Sequence, residues 1–300
     1  MNRFHGFIIL VLAACTRVPE RGAPIEQEIC IFAPSGNTRA SDPEEDLITD
    51  YNLLIFNEFG VLEESCFVSS RELSAPVASV RRSTRLLKDA PYWFLSAANL
   101  GYALPCTTLE EALSYRYHMA YPDEYSQGLP MAVCKRLVAG EREDIELPLE
   151  RLMARIDLSI DRSGLNPDVQ LRVVSVQVRA CPSSVRLFAR SRVESEAQCF
   201  PQGFTRSGQQ VYGLNHDVSG HSGTVTFYLL ENLQGPAPEE RLLPLCSCLE
   251  LQVEYHYDTF HTAPGETIPY RIFLGEDYDV RRNTVYPFVV RPVGDGLPAQ

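Results

Sequence analysis

Two side chains near the start of the chain carry the plainest chemistry. Cys15 closes the run Leu12-Ala13-Ala14-Cys15, behind Arg3 and an apolar stretch from Phe7 to Ala14. That stretch is far shorter than the roughly 20 residues of a membrane-spanning helix, so residues 1–14 read as a signal peptide. Its small residues suit a signal peptidase, and the Cys15 thiol can carry a thioether-linked diacylglycerol, the pattern of a bacterial lipoprotein. Acyl chains there would hold the chain to a membrane, since each buried methylene contributes roughly 0.8 kcal/mol. The second residue is Arg39, in "APSGNTRASDPEED" (33–46), a stretch with nothing apolar enough to pack a core. On its residues alone this stretch reads either as a plain linker or as a segment built to be cut between Arg39 and Ala40.

Other constellations do not assemble into a catalyst. "SGHSGT" (219–224) lacks the glycine two residues after Ser222 and leads into a strand, where a nucleophile elbow needs a turn into a helix. Cys246 and Cys248, with His256 and His261 farther along, lack the knuckle spacing of a zinc site. His216 and His221 read as solvated loop residues. Carboxylates gather in turn-like stretches (Glu44-Glu45-Asp46, Asp123-Glu124, Glu239-Glu240, Glu276 to Asp279) and read as solvated faces rather than acid–base pairs. Glycine-rich phosphate loops are absent. The expectation is no enzyme, no cofactor and no metal.

The elements that position these residues are almost all strands. "EICIFA" (28–33) is a short β-type run just before the Arg39 loop, with Ile29, Ile31 and Phe32 as its apolar residues. "YNLLIFNEFGVLEES" sets Leu53 and Ile55 against Leu54 and Phe56 and turns at Asn57 to Gly60, a hairpin. "APYWFLSAANLG" is an aromatic-rich strand containing Trp93. "TTLEEALSYRYHM" (107–119) is the one helix, capped by Thr107 or Thr108 with Glu110 or Glu111 three residues on, and stopped by Tyr121-Pro122. From Pro148 onward, "RIDLSIDR", "VQLRVVSVQVRAC", "SGTVTFYLLEN", "CLELQVEYHYD", "IPYRIFLG" and "TVYPFVVRP" alternate at period two with short turns between them. The fold class is therefore all-β: two tandem antiparallel β-sandwich domains of transthyretin-like or Ig-like type, with one short helix in the first. The divisions are a tether and first strand at 15–39, an N-terminal sandwich at 40–153 and a C-terminal one at 154–300.

The formal charge of −12 argues against nucleic acid and anionic membrane as partners. Beyond Cys15, eight cysteines at irregular spacing leave disulfides and buried thiols both open.

Several stretches together resemble the fimbrillin family of Bacteroidales, the lipoprotein-derived pilins often called type V. They are the lipobox at Cys15, "NTRASDPEEDLITDYNLLIFNEFGVL", "YWFLSAANLG", "GLPMA", "LERLMARIDLSI" with Arg155 where a lysine is common, "FYLLENLQG", "CLELQVEY" and "YRIFLGEDYDVRRNTVYPFVV". The resemblance covers most of residues 8 to 291. It implies a precursor acylated on Cys15, displayed at the outer membrane, and cut by an arginine-specific protease so that the strand with Ile29, Ile31 and Phe32 leaves. A strand from the next subunit then fills the groove, drawn from Thr284 to Pro292 with Val285, Tyr286, Phe288, Val289 and Val290 as its apolar residues. Pro287 sits against that donor assignment, because proline lacks the N–H that a central strand donates. The implied role is a structural or tip subunit of an extracellular fimbrium supporting adhesion, whose partners are other fimbrial subunits and host or bacterial surface ligands. Two alternatives are an uncleaved lipid-anchored base subunit and a surface glycan-binding lipoprotein; for the latter, Trp93 is the only tryptophan and is expected to be buried.

Overall fold

The computed structural model describes residues 22–33, 43–122, 128–201, 204–206, 224–257, 260–263, 266–275 and 277–296. Cys15, Arg39, Ala40, His216, His221 and Ser222 lie outside them.

Among the described residues of the first half, the strands are β1 (Pro24–Phe32), β2 (Tyr51–Asn57), β3 (Leu62–Val68), β4 (Ser79–Leu87), β5 (Pro91–Ala98), β6 (Arg116–His118), β7 (Met131–Val138), β8 (Asp144–Pro148) and β9 (Glu150–Arg151). Their main sheets have the orders β4-β1-β8 and β3-β2-β5-β7-β9. Alternation along β2 works as the residue pattern requires, with both faces covered. Leu53 and Ile55 join Ile29, Ile31, Phe94 and Leu147 between the two sheets. Leu54 and Phe56 point the other way, into a core closed by Ala112, Tyr117, Leu152 and Val185.

The second half holds β10 (Met153–Ile160), β11 (Gln170–Arg179), β12 (Ser184–Arg186), β13 (Phe204–Arg206), β14 (Val225–Leu230), β15 (Asn232–Leu233), β16 (Cys248–Tyr257), β17 (Phe260–His261), β18 (Ile268–Phe273), β19 (Asp279–Val280) and β20 (Val285–Val290). A β14-β10-β20 sheet packs on one built around β13-β11-β16-β17, with β18 also on β16. Ile156, Leu158 and Phe227 meet Val176, Leu249 and Leu251 between them. The architecture is all-β sandwich.

Helix differs from expectation. The segment at 107–119 is helical only over Leu109–Ser114, α2 here; Thr108 caps it and Glu111 reaches back, the full capping box. Arg116–His118 instead pairs as β6 with β12, so cross-strand bonding to Ser184–Arg186 overrides the helical pattern. A second single turn, α1 (Ser70–Leu73), stands under its own Ser69–Glu72 capping box. Trp93 is half-buried, with the Arg136 guanidinium 6.0 Å from its ring centre.

Candidate functional site

β1 is the middle strand of its sheet. It pairs antiparallel with β4 from Pro24↔Leu87 to Phe32↔Ser79, and parallel with β8 from Glu28↔Asp144 to Phe32↔Pro148. Among the described residues β4 and β8 share no ladder of their own, though Arg81 of β4 reaches Asp144 of β8 at 2.8 Å. Ile29 and Ile31 are fully buried, Ala33 nearly so, and Phe32 is half-buried on the outer face. Burial of each isoleucine contributes roughly 1.5–3 kcal/mol. Gln27 shares the inner face and is also buried. Its Nε2 donates to the carbonyls of Arg142 (3.2 Å) and Glu143 (2.7 Å), and its Oε1 accepts from the Gly140 N–H at 2.9 Å. One buried amide thus bonds three backbone groups of the β7–β8 turn.

β20 sits differently. Among the described residues it pairs only with β10, in parallel, from Arg155↔Val285 to Ile160↔Val290. Tyr286, Phe288 and Val290 pack partly against the second core, Val285 is half-buried, Pro287 is exposed and Val289 is 52% exposed. The Asp161 N–H donates to the Val290 carbonyl, so by alternation the backbone of Val285, Pro287 and Val289 faces the open edge. Pro287 therefore forfeits no bond where it stands.

What holds β20 is at its two ends. At its root, Arg282 is buried beside Glu231 at 3.1 Å and donates to the carbonyls of Arg186, Leu187 and Ala189 at 2.8–3.3 Å. Burial pushes the Arg282 guanidinium pKa down from its ordinary value, with Glu231 opposing that shift. Asn283, at φ 56°, accepts from the Arg151 guanidinium at 3.1 Å. At the far end, Arg291 Nε reaches Asp161 at 2.7 Å. Hydrogen bonds from Ser163, with Arg291 beside it, hold the Asp161 carboxyl down to about 2.

The turn Pro43–Asp46, four residues past Arg39, joins the same network. Asp46 pairs with Arg151; Glu45 takes Arg155 NH1 at 2.7 Å and the Tyr228 hydroxyl; Arg155 Nε also reaches Asp157 at 2.9 Å. Glu45 is buried, so these carboxylates are not the solvated face that their sequence suggests. Asp279 is buried too. The acidic run "PEED" gives no sign of this, because the arginines that meet it lie more than 100 residues away.

The thiols form a separate feature. All eight described cysteines are free. Burial pushes the Cys181 thiol up to about 12, and those of Cys134, Cys199 and Cys248 to about 11, which suppresses thiolate chemistry. Cys199, Cys246 and Cys248 line a cleft of about 850 Å³ between Arg179 and Arg271, whose guanidiniums both bond Glu250 at 3.0 and 2.9 Å. Among the described residues no three Cys, His, Asp or Glu side chains gather as a metal site, and no helix is long and apolar enough to cross a membrane.

No sequence-family model matches the chain, and a search of curated proteins gives no match either. Solved structures are similar to it along nearly its whole length. A fimbrilin (fimA) from Porphyromonas gingivalis W83 superposes with a TM-score of 0.60 at 14% identity, covering 90% of this chain and 91% of that one. The tip fimbrial protein Mfa3 from Porphyromonas gingivalis gives 0.57 at 12% identity, over 92% and 97%. A fimbrial assembly protein from Parabacteroides distasonis ATCC 8503 gives 0.52 at 13%, over 90% and 92%. At these identities the likeness is one of fold.

Proposed function

We propose that this chain is a structural or tip subunit of a surface fimbria that supports adhesion. In this reading it is exported as a lipoprotein acylated on Cys15, shown at the outer membrane, and cut between Arg39 and Ala40. β1 leaves, and a strand from another subunit takes its place. The observation that carries the reading is the seat of β1: a buried strand laddered between β4 and β8, followed in sequence by an arginine-bearing segment. Likeness in fold to the fimbrilin and the tip fimbrial protein supports it.

The physics of exchange follows from that seat. Before the cut, β1 is tethered and returns after every local opening, because the linker keeps its effective concentration high. Cutting removes the tether without touching one hydrogen bond of the ladder. An emptied seat exposes the facing edges of β4 and β8, and unpaired edges are templates for a new strand. A donor of about seven residues reaches roughly 23 Å, enough to span β8. The donor in this reading is Thr284 to Pro292 of a neighbouring subunit, with Val285, Tyr286, Phe288, Val289 and Val290 as its apolar residues.

The test is the N-terminal sequence and intact mass of the protein recovered from the surface of cells that make it. The expected chain starts at Ala40. A chain that starts at acylated Cys15 overturns exchange in favour of a lipid-anchored base subunit.

A further inference from the structure

The seat of β1 is not uniformly apolar. Running along its inner face, β1 presents Gln27, Ile29, Ile31 and Ala33, and the Gln27 slot offers one N–H and two carbonyls. A strand that puts an aliphatic side chain there leaves the Gly140 N–H and the Arg142 and Glu143 carbonyls without their side-chain partner, whereas a side-chain amide can both donate and accept. That slot is therefore a register pin. It matters because a one-residue slip turns every side chain of a strand to the other face.

Resting on the strand-exchange reading above, we propose that the incoming strand is pinned by Asn283, which takes the place of Gln27. Val285 then stands at Ile29, Pro287 at Ile31 and Val289 at Ala33, while Phe288 falls on Phe32 of the outer face. Three observations favour this register. Asn283 is the one amide adjoining β20, and "NTVYPFV" set on "QEICIFA" matches amide with amide, Val with Ile and Phe with Phe. The slipped alternative puts Thr284 in the amide slot and Tyr286 and Phe288 where Ile29 and Ile31 are fully buried, which overpacks the seat. β20 also already lies parallel to its neighbour β10, as β1 lies parallel to β8. Proline does not choose between the registers, since each loses one ladder bond at Pro287.

The proposal further implies that β20 turns over on transfer. Tyr286, Phe288 and Val290, which pack on the core of their own subunit, become the outer face, and the edge-facing Val285, Pro287 and Val289 go in. Asn283 must also release Arg151, its present partner.

The experiment uses the protein cut after Arg39 and freed of β1 in mild urea, then mixed with labelled peptides read by anisotropy. A peptide of residues 24–33 establishes that the seat is open. The peptide of residues 281–292 is expected to bind, and its Asn283→Ala form to bind at least about tenfold more weakly, as loss of a buried hydrogen-bonding group requires. Val285→Asp is expected to abolish binding, and Thr284→Ala and Tyr286→Asp to change it little. Loss of binding with Tyr286→Asp, together with no effect of Asn283→Ala, overturns the register. Binding of residues 24–33 but not of 281–292 overturns both the register and the donor assignment. Failure of β1 to leave the cut chain overturns the exchange reading itself.

Discussion

β1 and β20 are both strands laid parallel against a neighbour in mixed three-stranded sheets, yet they are held in opposite ways. β1 is held along its length: ladders on both edges, two fully buried isoleucines and a glutamine amide that closes the end of the groove. β20 is held at its ends, by Arg282 and Asn283 at the root and by Arg291 on Asp161 at the tip, with a ladder on one side only. A strand held along its length leaves slowly once its tether is gone. A strand held by end clamps peels when one clamp opens, which suits the donor role proposed above.

The contrast can be broken most forcefully at the root of β20. Arg282→Ala takes a buried guanidinium from Glu231, which keeps Arg190 at 3.0 Å and the Ser191 N–H at 2.8 Å, and also strips the Arg186, Leu187 and Ala189 carbonyls of their donor; together such a break costs about 3–5 kcal/mol. Urea unfolding of the variant checks it. Next is the paired comparison of Ile31→Ala with Val289→Ala. The first removes a fully buried side chain and costs about 2–5 kcal/mol. The second trims a half-exposed edge residue and stays within about 0.5 kcal/mol. Equal midpoint shifts would erase the distinction between the strands.

Gln27→Leu sharpens it further, since three backbone groups lose their side-chain partner; a loss of about 1–3 kcal/mol is expected, with faster hydrogen exchange at Gly140. The smallest effect is at the tip of β20. Asp161 is held to about 2, below the ordinary carboxylate value, so its stabilising contribution is complete above about pH 4 and is lost as pH falls toward 2. Amide exchange in Val285–Val290 should accelerate over that window in the native chain, and Asp161→Asn should remove the dependence.

Much of the fold was legible because alternation is local. Leu53 and Ile55 against Leu54 and Phe56, or the run from Val285 to Val290, reveal a strand without knowledge of its partner. Pro287 was legible as an edge residue for the same reason, since a missing N–H is a property of one position. What local pattern cannot carry is pairing. Tyr115 to Met119 look helical until β12 is present, and Glu45 and Asp46 look solvated until Arg151 and Arg155 arrive from more than 100 residues away. Gln27 was passed over because it precedes the β-type run at 28–33, in a stretch that reads as tether, and its three partners come from the β7–β8 turn more than 100 residues away.

The mooring of Glu45 and Asp46 has a consequence for the direction of assembly in time. If the chain is opened at Arg39, the new end runs only from Ala40 to Asp42 before it meets the turn that is tied to Arg151 and Arg155. Three extended residues cover roughly 10 Å, too little to double back and lie between β4 and β8. The stub cannot plug the vacancy that its own cleavage creates. In the strand-exchange reading proposed above, the severed bond would work as a ratchet tooth: the subunit would carry a record of its processing, and a strand from outside would be needed to fill the gap.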